Sequence, residues 1–483
     1  MAGRIMVLSV LFAAVAAPFF LSVKMNDGVF VYTLDDPYIH LALAENIRAG
    51  HYGINPGEPT SPSSSVIWPF MLVPFAGTSF FNIIPLAMNL FFAGATALVL
   101  LRFYGRECLL CALVSVFAFS LPGLVLTGME HSLQVFLAVV LAAGACRLSE
   151  GRGFSRYLLW AAAAAPLVRY ECLAVSLPVI GMAFMLGERK RALIAAGVLL
   201  VAIGGFSVFL LSLGLSPLPA SVLAKSSVAA GGGIAGNLLT SLSGFRGIVQ
   251  GLLLVPLMFA ALRSEKREHR LLAVSAVVSV ILHLSVGRFG WFHRYGVYMW
   301  AYSAMVVFHL YRPILEKRKV LFAAVLLATS GNYLTGYLKI PYASGNIYRQ
   351  QYQTARLVRD WAPGPVAVND LGLVALFSDH YVLDLWGLAV PEALDGAGDP
   401  EWVDSAAAAS GVNLAVVYPG RFQGLFHWER IAVMELQPPL VVCADGRIEV
   451  LAAPWADADS LYKIVQEFSV TLPDGVEFTG YRQ

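Results

Sequence analysis

Residues 5–38 read IMVLSVLFAAVAAPFFLSVKMNDGVFVYTLDDPY. The run from Ile5 to Val23 holds no charge and approaches the roughly 20 apolar residues that a helix needs to cross a bilayer. Two adjacent carboxylates, Asp35 and Asp36, follow it. A carboxylate pair just past a membrane span is costly to hold near lipid and is therefore a functional candidate by default.

The rest of the chain continues in the same way. Of its 483 residues, 58% are hydrophobic and only 13% are charged, against about 25% charged in soluble domains. Apolar runs near span length recur, which indicates a polytopic helical membrane protein. The 33 basic and 31 acidic residues leave a net charge of +2. No basic cluster has the spacing of a groove reader, so nucleic acid is not an expected partner. Four of the five cysteines lie in apolar runs, which argues against a disulfide framework or a zinc site. Ala13 to Ala17 resembles a signal-peptide cleavage region, but the many later spans make an uncleaved anchor the simpler expectation.

Charged clusters separate the apolar runs: Arg102 to Glu107, Arg147 to Arg156, Glu188 to Arg191, Arg263 to Arg270 and Arg312 to Lys319. Most are rich in Lys and Arg and belong on the cytoplasmic side. The alternate connections then lie outside. They carry the Asp pair, Gly128-Met129-Glu130-His131, Arg169-Tyr170-Glu171, Pro217 to Lys225, and Gly287 to Arg294. Val66 to Phe75 is short, contains Pro69 and Pro74, and reads as an interfacial or half-dipping helix. Spans are expected near 5–23, 80–101, 107–126, 130–146, 156–168, 171–187, 192–213, 246–262, 271–286, 293–311 and 319–338, about eleven in all.

The expected fold is an all-α polytopic membrane domain over residues 1–339, with an outer loop and surface helix at 24–79. A small extracytoplasmic α/β domain is expected over 340–483. Strands are expected at 366–368, 381–385, 414–418 and 439–443, and helices at 350–361, 400–409 and 457–468.

Asp36-Pro37 reads as a helix start, with Asp36 as N-cap and Pro37 at the first helical position. The helix runs to Ala49 with Gly50 as its cap. Ile39, Ala42, Leu43 and Ile47 form an apolar stripe and His40 lies on a different line, the pattern of an amphipathic helix on the membrane surface. Asp35, not needed for that cap, is left free to point into a site. Glu130 either faces a wet cavity or pairs with a base such as Arg169, because an unpaired buried carboxylate is expensive. Arg169 and Glu171 flank Tyr170, where orienting helices and contacting substrate are equally good uses. Lys225 is a lone loop lysine, ordinarily solvated. Arg294 opens the tenth span, where it either snorkels or holds a phosphate. Carboxylates for proton abstraction and cations for a phosphate, gathered at one membrane face, suit an enzyme with a lipid-phosphate-activated donor. A positioned general base contributes about 10²–10⁴-fold.

LDDPYIHLALAENIRAG (34–50) and INPGEPTSPSSSVIWPFML (54–72) resemble the start of GT-C superfamily glycosyltransferases. Among these the chain is most similar to bacterial terminal arabinofuranosyltransferases and mannosyltransferase-like membrane proteins. Thr127-Gly128-Met129-Glu130, Arg169-Tyr170-Glu171 and Pro219 to Lys225 match further family loops. The stretches from Val368 to Gly372 and from Asp384 to Leu388 are similar to the soluble C-terminal domain of such proteins. The chain departs from the pattern at Tyr170, Ala220 and Ser221.

The resemblance implies an inverting glycosyltransferase of the bacterial inner membrane. It would use a polyprenyl-monophosphate sugar and a cell-envelope glycan, lipid or protein acceptor on the outer face. Asp35 maps to the base. Asp36, His40, Glu130, Arg169, Glu171, Lys225 and Arg294 are the expected substrate contacts. No cofactor is expected, although two Asp and one Glu have the chemistry for a divalent ion. A flippase for lipid-linked sugar and a non-catalytic glycan-binding scaffold are the rival readings.

Overall fold

The computed structural model describes residues 1–225, 233–290, 292 and 294–481. All eleven expected apolar runs are helical, but they do not make eleven clear spans. Among the described residues, seven helices are long and apolar enough to cross a membrane: Ala2–Met25, Phe81–Tyr104, Arg106–Leu126, His131–Ser149, Arg189–Ser212, Phe245–Arg263 and Arg267–Val286. Lys319–Thr329 and Gly331–Leu338 add an eighth only if counted together, since they bend by 61° at their junction. Arg156–Val168, Tyr170–Met185 and Val297–Leu310 are shorter. Composition alone does not set a helix's length or surroundings. Val297–Leu310 is apolar because it is enclosed, with Tyr298, Met299, Tyr302 and Phe308 fully buried. Arg189–Ser212 is apolar because it faces outward, with Leu200 74% and Val201 73% exposed, as a lipid-facing surface is.

The 24–79 segment lies over one end of the bundle. Val66 to Phe75 forms two short helical turns, Trp68–Leu72 and Val73–Phe75. The helix Asp36–Arg48 is not the surface helix its stripe predicts. Pro37 through Ala44 are all buried, His40 included. Helix Gly372–Phe377 packs on one side of it and Trp68–Leu72 on another, so its supposed outer face is covered by residues far along the chain.

Beyond residue 340 a six-stranded mixed sheet forms: β1 (Val366–Val368), β2 (Val382–Asp384), β3 (Leu414–Val417), β4 (Glu429–Leu436), β5 (Arg447–Ala452) and β6 (Val476–Gly480). The order is β2-β1-β3-β5-β4-β6. β1 runs parallel to β2 and β3, with Val366 opposite both Val382 and Leu414; the remaining pairs are antiparallel. The strand expected at 439–443 does not form. Pro439 cannot donate to a ladder, and the Asn346 side chain instead accepts the Val441 N–H at 2.7 Å. The helix expected at 350–361 divides into Gln351–Arg356 and a wider turn, Leu357–Trp361. Helices Pro400–Ala409 and Ala458–Ser469 form as expected, capped by Asp399 and Asp457.

The sheet domain is joined to the 24–79 segment by buried polar clamps. Asn55 pairs twice with the Val382 backbone, donating to its carbonyl at 3.0 Å and accepting its N–H at 2.9 Å. Ser344 accepts from Asn26 at 2.9 Å and donates to the Val31 carbonyl at 2.6 Å. One hydrophobic core runs through the junction, from Leu34 and Tyr38 to Leu371 and Val374.

Candidate active site at the seam

In an open α/β sheet the ligand crevice lies outside the carboxyl ends of the parallel strands. Here those ends face the bundle. Asn369 and Asp370 follow β1, Leu385 and Trp386 follow β2, and Arg421 follows β3. Together with Asp35, Asp36, Arg288, Arg294 and Tyr295 they line a cavity of about 1110 Å³.

The Asp pair behaves differently from its sequence reading. Asp35, not Asp36, occupies the N-cap position of helix Asp36–Arg48, and no side chain caps that end. Asp36 is the first helical residue and pairs with Arg294 at 3.1 Å. Asp35 has a structural partner after all, in the other domain: its carboxylate accepts the N–H of Gly372 at 2.6 Å and of Leu373 at 2.9 Å. Both donors sit at the start of helix Gly372–Phe377. Gly372 is required for this approach, because a β-carbon there would overlap the carbonyl oxygen of Asp35.

Burial pushes the Asp35 carboxyl up, the nearby Asp370 carboxylate adds to it, and the Leu373 and Gly372 N–H groups oppose both, leaving it at about 8. Burial also raises Asp370, against the pull of the Tyr418 hydroxyl at 2.7 Å and the Gln351 amide at 2.6 Å. Asp384, at the end of β2, accepts the N–H groups of Trp386, Leu388 and Ala389 at 3.0, 2.6 and 2.8 Å. That fixes the loop presenting Trp386, which is 41% exposed. Burial dominates at Asp384 too, raising it to about 6.

Four other expected residues form a separate cluster behind the cavity wall. Glu130 is fully buried and does not line the cavity. Of its two sequence readings it takes the ion pair, with Arg169 at 2.7 Å. Arg169 also holds Glu171 at 3.1 Å, and Gln134 donates to Glu171 at 2.6 Å. His40 lies 3.4 Å from Glu130 and is backed by Ser63 at 3.1 Å. Gly128, at φ +70°, brings this loop against the Tyr32 ring and Pro37. Tyr295 forms the shared wall: Arg169 and Arg294 both lie over its ring, at 5.5 and 5.1 Å from the centroid. Lys225 ends helix Ala220–Lys225, and its side chain lies outside the described residues. Among the described residues no group of three or more His, Cys, Asp or Glu side chains is placed to hold a metal ion.

Asp370, Trp386 and Arg421 line the cavity without having been singled out as site residues. The strands before them were legible, and inspecting the carboxyl end of each would have found them.

Residues 345–479 match a domain family described as a domain of unknown function, DUF8728. No curated protein matches the chain. Among solved structures, ArnT from Cupriavidus metallidurans bound to undecaprenyl phosphate superposes with a TM-score of 0.50 at 13% identity, over 92% of this chain and 97% of that one. The chain shares the fold of that protein over nearly the whole of both chains. The archaeal oligosaccharyltransferase AglB from Archaeoglobus fulgidus, in complex with an inhibitory peptide and a dolichol-phosphate, is more distant: TM-score 0.46, 12% identity, covering 92% of this chain and 74% of that one. The likeness to ArnT covers bundle and sheet domain together, so the seam lies within the compared fold.

Proposed function

We propose that this chain is a membrane glycosyltransferase that moves a sugar from a polyprenyl-monophosphate donor to a cell-envelope glycan, lipid or protein. The observation that carries this reading is the cavity at the seam, which Asp35 lines together with the Asp36–Arg294 pair. The resemblance of the fold to ArnT bound to undecaprenyl phosphate supports the donor class.

Asp35 is the base. Each of its oxygens spends one lone pair on a backbone N–H and keeps others for an acceptor hydroxyl. As Asp35 takes the hydroxyl proton, the oxygen attacks the anomeric carbon. The bond from that carbon to the phosphate oxygen breaks, and the phosphate leaves with the electron pair. Attack opposite the phosphate inverts the centre. Arg288 and Arg421, which also line the cavity, neutralise the departing phosphate with Arg294; one such donor contributes about 2.7–4 kcal/mol. Trp386 offers a ring face to the sugar. The sheet domain, from about residue 340, completes the cavity on the outer face of a bacterial inner membrane.

Asp35→Asn tests the assignment. Transfer should fall by at least about 100-fold, with donor binding retained. Wild-type transfer by this variant would remove Asp35 as the base.

A further inference from the structure

Asp370 stands beside the proposed base without any use in the reaction as described. It opens the turn Asp370-Leu371-Gly372-Leu373, whose last two N–H groups hold Asp35. The two carboxylates line the main cavity together and meet again in a smaller one of about 210 Å³, with Gln351 and Tyr418. Among the described residues neither forms an ion pair; Arg294, which lines the same cavity, is engaged by Asp36.

We propose that Asp370 is a positioning residue of the reacting site, a carboxylate supplied by the sheet domain that holds Asp35 ready to take the acceptor proton. The inference rests on the reading of Asp35 as base. Two carboxylates in one desolvated place cannot both ionise cheaply, so they titrate as a pair. The surroundings decide which keeps the charge. Asp370 receives three side-chain donors that favour its anion, from Tyr418, Gln351 and Asn369, against the two backbone N–H groups on Asp35. The other neighbours of Asp370 are Asp384 and Cys443 from the sheet domain and Asp36 from the 24–79 segment. Asp35 is faced by Asp36 in its own turn and by Tyr38 on the following helix. A fixed negative charge on Asp370 makes Asp35 the more basic member, and base catalysis works best with a group that titrates near the working pH.

The test is the pH dependence of kcat/KM for transfer from a polyprenyl-phosphate sugar, measured on full-length wild type, Asp370→Asn, Asp370→Glu and Tyr418→Phe. In wild type the acid limb should fall near pH 8, where Asp35 loses its proton. Asp370→Asn should move that limb downward by on the order of one pH unit and lower the maximal rate. Asp370→Glu keeps the charge and should keep the limb while reducing kcat. Tyr418→Phe removes a donor to the Asp370 anion and should shift the limb in the same direction as Asp370→Asn, so the proposal stands or falls on it if Asp370→Asn does not fold. An acid limb unmoved in Asp370→Asn or, failing that variant, in Tyr418→Phe overturns the role of Asp370 and leaves Asp35 as base. Full activity of Asp35→Asn would overturn the base itself, a separate outcome.

Discussion

Gly372 has no side chain where the Asp35 backbone comes closest, and Asp35→Asn is not the only change that reaches this contact. Gly372→Ala puts a methyl against a carbonyl oxygen that cannot rotate away. It should cost about 1–3 kcal/mol, as overpacking does, read as a lower midpoint in thermal unfolding of the detergent-solubilised protein, together with a loss of transfer. The ion-pair cluster behaves differently. Arg169→Met leaves Glu130 buried without its arginine partner, a loss of about 3–5 kcal/mol. Adding Glu130→Gln should recover part of it, and a strictly additive double variant would show that the two do not interact. At this scale the sequence reading put the N-cap on Asp36, whereas Asp35 holds that position, and it left Asp35 without the partners it has. Capping chemistry is read along one stretch of chain, whereas the donors that hold Asp35 lie 337 and 338 residues away.

Elements were legible where their own composition decides them. The three parallel strands show as short apolar runs, and Pro400–Ala409 and Ala458–Ser469 show by their caps and periodicity. Strand β4 opens on Glu429 and Arg430, so it lacks the uniform apolar run that marked the others, and it is fixed by pairing with β5 and β6. Helix Asp36–Arg48 was legible as a helix but not in its burial, because the helix covering it belongs to the sheet domain. The loop after β2 gives a prediction at this scale. Asp384→Ala removes the acceptor of three N–H groups, each such charged hydrogen bond contributing about 1.5–3 kcal/mol. The loop should loosen around Trp386, seen as increased hydrogen exchange at Trp386, Leu388 and Ala389; unchanged protection there would contradict this account of the loop.

For the whole molecule, hydropathy marked eleven apolar runs that are helical, missed helix Gly233–Ser243, and did not show which are enclosed by the bundle, and so gave no firm count of spans. The clamps at Asn55 and Ser344 tie the first loop to the sheet domain, so under the proposed orientation the two share a face. Cysteines introduced at exposed His380 and Pro56 should label from outside intact cells, and one at exposed Glu265 only after the membrane is opened; a reversed pattern would invert the proposed orientation. The most direct test of the glycosyltransferase reading uses the purified protein in liposomes with a panel of polyprenyl-monophosphate sugars and candidate acceptors. The account predicts acceptor-dependent release of free polyprenyl phosphate and a new glycosidic bond of inverted configuration. A donor that stays intact throughout, whether moved between leaflets or simply held, would contradict it.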